Sequence, residues 1–116
     1  MMPEFRVLIV DDERPARDKL RRLLATQSDV TYVAEARDGL DALAKLAQEK
    51  FDVLFLDIQM PELDGISLAQ QLPASAPLLV FVTAFDQFAV QAFDANAIDY
   101  LLKPFDDDRF LKAITK

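Results

Sequence analysis

One stretch, residues 51–65, limits what this chain can become. An apolar run, Val53-Leu54-Phe55-Leu56, stops at a carboxylate, Asp57, and a turn carrying Pro61 and Gly65 follows. The run is too short for a globular helix, and its β-branched and aromatic residues suit a buried strand. A strand ending on an acid places that acid at the carboxyl edge of its sheet, where open α/β sheets bind ligands. The same grammar recurs twice. Arg6-Val7-Leu8-Ile9-Val10 runs into Asp11-Asp12-Glu13, and Leu78-Leu79-Val80-Phe81-Val82 runs into Thr83-Ala84. If the three strands are parallel neighbours, Asp11, Asp12, Asp57 and Thr83 meet at one edge.

Helical patterns separate these runs. After a first strand over Arg6 to Asp11, Pro15 sits where a first helical turn tolerates proline. Ala16, Leu20, Leu23 and Leu24 form an apolar stripe closed by Gln27-Ser28-Asp29. Val30 to Ala36 reads as a second strand whose Thr31 and Glu35 suit a sheet edge. Asp38 is the expected cap of a helix carrying Leu40, Leu43, Ala44 and Ala47 as far as Lys50. Asp64 is expected to cap a short third helix with Ile66, Leu68, Ala69 and Leu72. Pro73 and Pro77 bracket the next loop. A fourth helix is expected over Phe85 to Asn96, with Phe88 and Phe93 on its apolar face. Ala97 to Leu102 reads as a fifth strand closed by Lys103-Pro104. Asp106, Asp107 and Asp108 then open a last helix carrying Phe110, Leu111 and Ile114. Five strands alternating with five helices imply right-handed crossovers and one parallel sheet covered on both faces. One domain fills residues 1–116.

Composition removes most rival chemistries. The 116 residues include no cysteine and no histidine, so thiolate or imidazole ligands and Ser-His-Asp triads are excluded. With only Gly39 and Gly65, neither a dinucleotide fingerprint nor a Walker-type loop can be written. Carboxylates without nitrogen or sulfur partners suit a hard cation such as Mg²⁺. The net charge of −7 makes direct nucleic-acid binding by this segment a poor expectation. No apolar run is long enough for a membrane span and the start lacks a signal-peptide pattern, so a soluble, cytoplasmic domain is expected.

Carboxylates crowded at one edge repel, and a divalent cation among them resolves the conflict. A carboxylate beside that cation can act as a nucleophile toward phosphorus, a reaction governed by positioning and charge neutralisation. Lys103, after the fifth strand, is expected to aim its ammonium at the same edge, where Thr83 supplies a hydroxyl. Asp12 or Glu13 can double as the cap of the first helix.

The set Asp11-Asp12, Asp57-Ile58-Gln59-Met60-Pro61-Glu62-Leu63-Asp64-Gly65, Thr83-Ala84 and Lys103-Pro104 resembles the receiver domain of two-component response regulators. The resemblance implies a flavodoxin-like, doubly wound five-stranded parallel sheet of order 2-1-3-4-5. Helices one and five then lie on one face and helices two to four on the other. It implies that Asp57 accepts a phosphoryl group from a sensor histidine kinase. Mg²⁺ would be held by Asp11, Asp12, Asp57 and the backbone carbonyl of Gln59. Thr83 and Lys103 would bind the phosphoryl oxygens, Tyr100 would act with Thr83 as the switch, and the Lys103–Pro104 peptide would be cis. Such a domain is a phosphoacceptor switch rather than an enzyme in its own right. The segments around Asp86 to Phe93 and Ala97 to Phe105 resemble receivers joined to LytTR-type DNA-binding domains. That likeness implies a fragment of a longer transcription regulator and a homodimer face on the fourth helix, fifth strand and last helix. The alternative is a Mg²⁺-dependent phosphohydrolase working through an aspartyl phosphate. Such enzymes usually carry an Asp-x-Asp arrangement after the first strand, which Asp11-Asp12-Glu13 does not match.

Overall fold

Strict alternation of apolar side chains decides how this sheet is covered. Leu8, Val10, Leu54, Leu56, Leu79 and Phe81 point into one apolar cluster. Their chain neighbours Val7, Ile9, Phe55, Val80 and Val82 point into a second. Strands apolar on both sides must be buried on both sides, which requires helices on each face. The computed structural model describes residues 4–72, 77–84, 97 and 99–114. Five strands, β1 (Phe5–Val10), β2 (Val30–Ala36), β3 (Val53–Leu56), β4 (Leu78–Thr83) and β5 (Asp99–Leu102), form one sheet. Their order is β2-β1-β3-β4-β5 and all neighbours are parallel, as expected.

Among the described residues, helix α1 (Arg14–Leu24) and the C-terminal helix (Asp107–Ile114) cover one face. Leu20, Leu23 and Leu24 of the first and Phe110 and Ala113 of the second enter the same cluster as Ile9, Phe55 and Val82. Phe110 stacks on Phe55 with ring centroids 5.9 Å apart. Burying each of these leucine and phenylalanine side chains contributes about 1.5–3 kcal/mol. Helices α2 (Gly39–Gln48) and α3 (Gly65–Gln70) cover the other face through Ala42, Leu68 and Ala69. The expected fourth helix over 85–96, with Phe85, Phe88 and Phe93, lies outside the described residues, as does Pro73.

Capping follows the letters closely. The Asp38 carboxylate accepts from the Asp41 N–H at 2.7 Å, and the Asp64 carboxylate from the Ser67 N–H at 2.8 Å. The Asp106 carboxylate does the same for Arg109 at 2.8 Å. Each satisfies an orphan donor at a helix start. The first helix departs from expectation. Glu13 stands at its N-cap position but its side chain makes no capping bond. The Asp11 carboxylate instead accepts from the Glu13 N–H at 2.9 Å, leaving the carboxylates of Asp12 and Glu13 turned to other uses.

Several boundaries shift. The first strand ends at Val10, because the Asp11 carbonyl has left the ladder and accepts from the Arg17 side chain. Helix α1 ends at Leu24, where Thr26 and Gln27 close tight turns onto Leu23 and Leu24. Helix α2 ends at Gln48 rather than Lys50, whose carbonyl accepts from Arg6 Nε at 2.8 Å. Ala97 lies outside the fifth strand, whose described residues are Asp99–Leu102.

Register carries the site. Val10, Leu56, Phe81 and Tyr100 lie abreast across β1, β3, β4 and β5. The residues that follow them therefore emerge at one edge. The Asp57 N–H donates to the Val10 carbonyl at 2.9 Å, and the Lys103 N–H to the Thr83 carbonyl at 2.7 Å. The Lys103–Pro104 peptide is cis, as the resemblance implied.

Candidate functional site

At that edge one carboxylate oxygen from each of Asp11, Asp12, Glu13 and Asp57 lies within 4.8 Å of the others. Asp11 and Asp57 are buried, with 1% and 5% of their surface exposed, whereas Asp12 and Glu13 face solvent. Lys103 reaches into the group. Its Nζ lies 2.8 Å from Asp11 Oδ2, 3.6 Å from Asp57 Oδ2 and 3.7 Å from Glu13 Oε1. Thr83 is fully buried at the end of β4, directly opposite Leu102 and one residue from the strand position of Lys103. Asp11, Asp12, Asp57 and Lys103 thus lie together, and Thr83 ends the adjoining strand β4 at the same edge.

Crowding leaves an electrostatic imprint. Burial, and then the negative charge of Asp11, push the Asp57 carboxyl from 3.8 up to about 6. The Lys103 ammonium and the backbone N–H groups of Gln59 and Ile58 pull the other way without cancelling that rise. Asp12 is raised as well, by burial first and by Asp11 second. Burial alone would lower the Lys103 pKa. The hydrogen bond to Asp11 and the charges of Asp57, Asp11 and Glu13 outweigh it and hold the ammonium protonated.

The backbone around Asp57 is held as tightly as its side chain. The Gly65 N–H donates to the Ile58 carbonyl at 2.8 Å. A Cβ on Gly65 would fall 2.1 Å from the Asp57 carbonyl oxygen and 2.9 Å from its carbonyl carbon. Glycine is required there because the start of α3 lies directly on the Asp57 peptide. Between them, Glu62 adopts a left-handed backbone with φ 69°.

The donor set fits a hard divalent cation. It offers only oxygen, from four acids close enough to share one ion, and burial leaves Asp57 short of compensating positive charge. Three residues of this region escaped sequence reasoning as site elements. Glu13 joins the acids, and its place in the Asp-Asp-Glu run was the available signal. Arg17 donates from Nη1 to the Asp11 carbonyl at 2.7 Å. Lys19 donates to the Phe105 carbonyl at 2.6 Å and lies over the Phe105 ring at 4.2 Å. No letter pattern marks a side chain aimed at a distant carbonyl. Tyr100 is half-buried against the cluster containing Phe81, with ring centroids 6.4 Å apart.

This sheet order, and this group of acids with a lysine at the strand ends, define a protein class. The model of the response regulator receiver domain matches residues 7–115, and the chain belongs to that family. It is 48% identical over 113 residues to an uncharacterised response regulatory protein of Yersinia pestis, covering 97% of this chain and 48% of that one. It is 45% identical over 113 residues to the transcriptional regulatory protein BtsR of Escherichia coli, covering 97% and 47%. The chain thus spans about half the length of the curated relatives it matches. Among solved structures, the response regulatory domain of mrkE from Klebsiella pneumoniae superposes with a TM-score of 0.89 at 42% identity. That match covers 95% of this chain and 92% of the other. The response regulator TrrA from Thermotoga maritima, solved in complex with Mg(2+)-BeF, gives 0.85 at 26% identity, covering 96% of each chain. No helix among the described residues is long and apolar enough to cross a membrane.

Proposed function

We propose that this receiver is a phosphorylation-operated switch whose phosphoacceptor is Asp57. The observation that carries the reading is the placement of Asp57. Its carboxylate is buried at a sheet edge, grouped with three other acids and 3.6 Å from the Lys103 ammonium. With a pKa near 6, Asp57 is mostly ionised at neutral pH, as a nucleophile must be.

In the proposed reaction a carboxylate oxygen of Asp57 attacks the phosphorus of a phosphohistidine on a sensor kinase. The new O–P bond forms as the P–N bond breaks, and the imidazole nitrogen leaves with the electron pair. Asp11, Asp12, Asp57 and the Gln59 carbonyl would hold Mg²⁺, with Glu13 beside them; when bound, the ion would neutralise charge on the phosphoryl oxygens. Lys103 passes from Asp11 to a phosphoryl oxygen, and the Thr83 hydroxyl donates to another. Movement of Thr83 opens space beside Phe81 that Tyr100 fills, biasing a two-state equilibrium. The changed surface comprises β5, the C-terminal helix and the segment between β4 and β5. We read that surface as the contact with a second copy and with an output region, a LytTR-type DNA-binding domain, in a longer cytoplasmic regulator. Support for a transcriptional output comes from the likeness to BtsR, named as a transcriptional regulatory protein.

The test is direct. The protein is incubated with Mg²⁺ and acetyl phosphate, and its intact mass is followed. One base-labile phosphoryl group per chain, lost in Asp57→Asn, is the expected result. Continuous hydrolysis of the donor and of other organic phosphates would favour the phosphohydrolase instead. Absence of any adduct while Mg²⁺ binds would mark an inert interaction module.

A further inference from the structure

Asp11 has all four of its polar groups engaged. Its N–H donates to the Ala36 carbonyl at 3.1 Å, its Oδ1 accepts from the Glu13 N–H, and its Oδ2 accepts from Lys103. The fourth group, its carbonyl, has left the sheet and accepts from Arg17 Nη1 at 2.7 Å. Arg17 is itself held. Its Nε meets Glu35 Oε1 at 3.0 Å, and the other oxygen of Glu35 takes Arg21 Nε at 2.6 Å. Arg21 also donates to the Val33 carbonyl at 3.2 Å. The Arg17 side chain is only 16% exposed, so this arrangement is packed rather than a loose surface pair. The planar guanidinium supplies two donors in a fixed fork on separate nitrogens, one to β2 and one to the loop bearing the acids, a spread that the three donors on the single nitrogen of an ammonium do not reproduce.

We propose that Arg17, anchored by Glu35, is a positioning residue that holds the Asp11-Asp12-Glu13 loop in the shape that receives a divalent cation. The inference rests on reading the cleft as a Mg²⁺ site. Arg17 contacts the backbone at the hinge between β1 and the loop, and touches none of the four carboxylates by any hydrogen bond described. Its hydrogen bonds therefore bear on the cation site only through the loop. Two physical effects of removing it have opposite signs. Loss of a nearby positive charge would tighten binding of a cation. Loss of the clamp frees the loop and loosens binding, typically about 10-fold for a group that orients metal ligands.

The experiment is a calorimetric titration of MgCl₂ into the wild-type chain, Arg17→Met, Arg17→Lys and Glu35→Gln, each first shown to be folded by circular dichroism. Wild type is expected to bind, and Arg17→Met to bind about 10-fold more weakly. Arg17→Lys, which keeps the charge but not the fork, is expected to remain weakened. Glu35→Gln, which keeps Arg17 but loosens its anchor, is expected to weaken binding by a smaller factor. If Arg17→Met does not fold, Glu35→Gln and Arg17→Lys carry the test. Unchanged or tighter binding in these variants while wild type binds Mg²⁺ overturns the inference and leaves the proposed function standing. Failure of wild type to bind Mg²⁺ overturns both.

Discussion

Replacing Asp57 by asparagine should stabilise the metal-free domain, and the gain should depend on pH in a calculable way. The folded-state pKa is raised from 3.8 to about 6, through burial and the charge of Asp11. Between these values the folded state keeps a proton that the unfolded chain has lost. Stability from this group therefore falls as pH rises from about 4 to about 6, then stays level. Each pKa step is worth about 1.4 kcal/mol, so the full penalty above pH 7 is about 3 kcal/mol. Water at the mouth of the cleft screens part of it, and a measured gain of about 1–3 kcal/mol is expected. Asparagine has the same shape and no charge, so it removes the penalty without opening a cavity. In EDTA at pH 8, urea unfolding followed by circular dichroism should place Asp57→Asn above wild type by that amount. The matching rise in Tm is about 4–12 °C for a chain of this size. At pH 4 the gap should shrink to under about 1 kcal/mol, because wild-type Asp57 is then protonated when folded. A variant no more stable than wild type at pH 8, or a gap equal at both pH values, would refute the argument.

Gly65→Ala should cost about 2–3 kcal/mol, since its Cβ would collide with backbone atoms of Asp57 that cannot swing aside, and urea midpoints will show it. Mg²⁺ at ten times its dissociation constant should add about 1.4 kcal/mol to wild-type stability, whereas Asp12→Ala should respond far less, as read from Tm against MgCl₂ concentration. Glu62→Asn should raise stability by about 0.5 kcal/mol, because asparagine tolerates the left-handed backbone that Glu62 occupies; a loss measured in urea would contradict this.

The sheet edge was legible because its signals are adjacent letters. Val53 to Leu56 followed by Asp57, and Val7 to Val10 followed by Asp11, each name a buried strand and the acid that ends it. Parallel pairing then aligns those ends without further information. The caps at Asp38 and Asp64 were legible for the same local reason. Contacts between distant letters were not. Glu35 read as a polar mark of an edge strand, and it lies on edge strand β2, yet it also grips Arg17 and Arg21. Gly65 read as a turn residue, but its demand comes from the Asp57 peptide lying against it. The end of helix α1 moved inward because Thr26 and Gln27 fold back by short-range bonds that periodicity does not encode. Asp12 and Glu13 could not be separated from a capping role until Asp11 was seen to bond the Glu13 N–H.

Lys103 lies nearer to Asp11 than to Asp57, and that preference reaches beyond the chemistry of transfer. A nest of acids with no resident counter-ion would make folding hostage to whatever divalent ions the surroundings hold. Here the polypeptide brings its own counter-charge, covalently tethered at the end of β5. The domain can therefore assemble before any ion arrives, because the ammonium already offsets part of the charge that Asp11, Glu13 and Asp57 bring together.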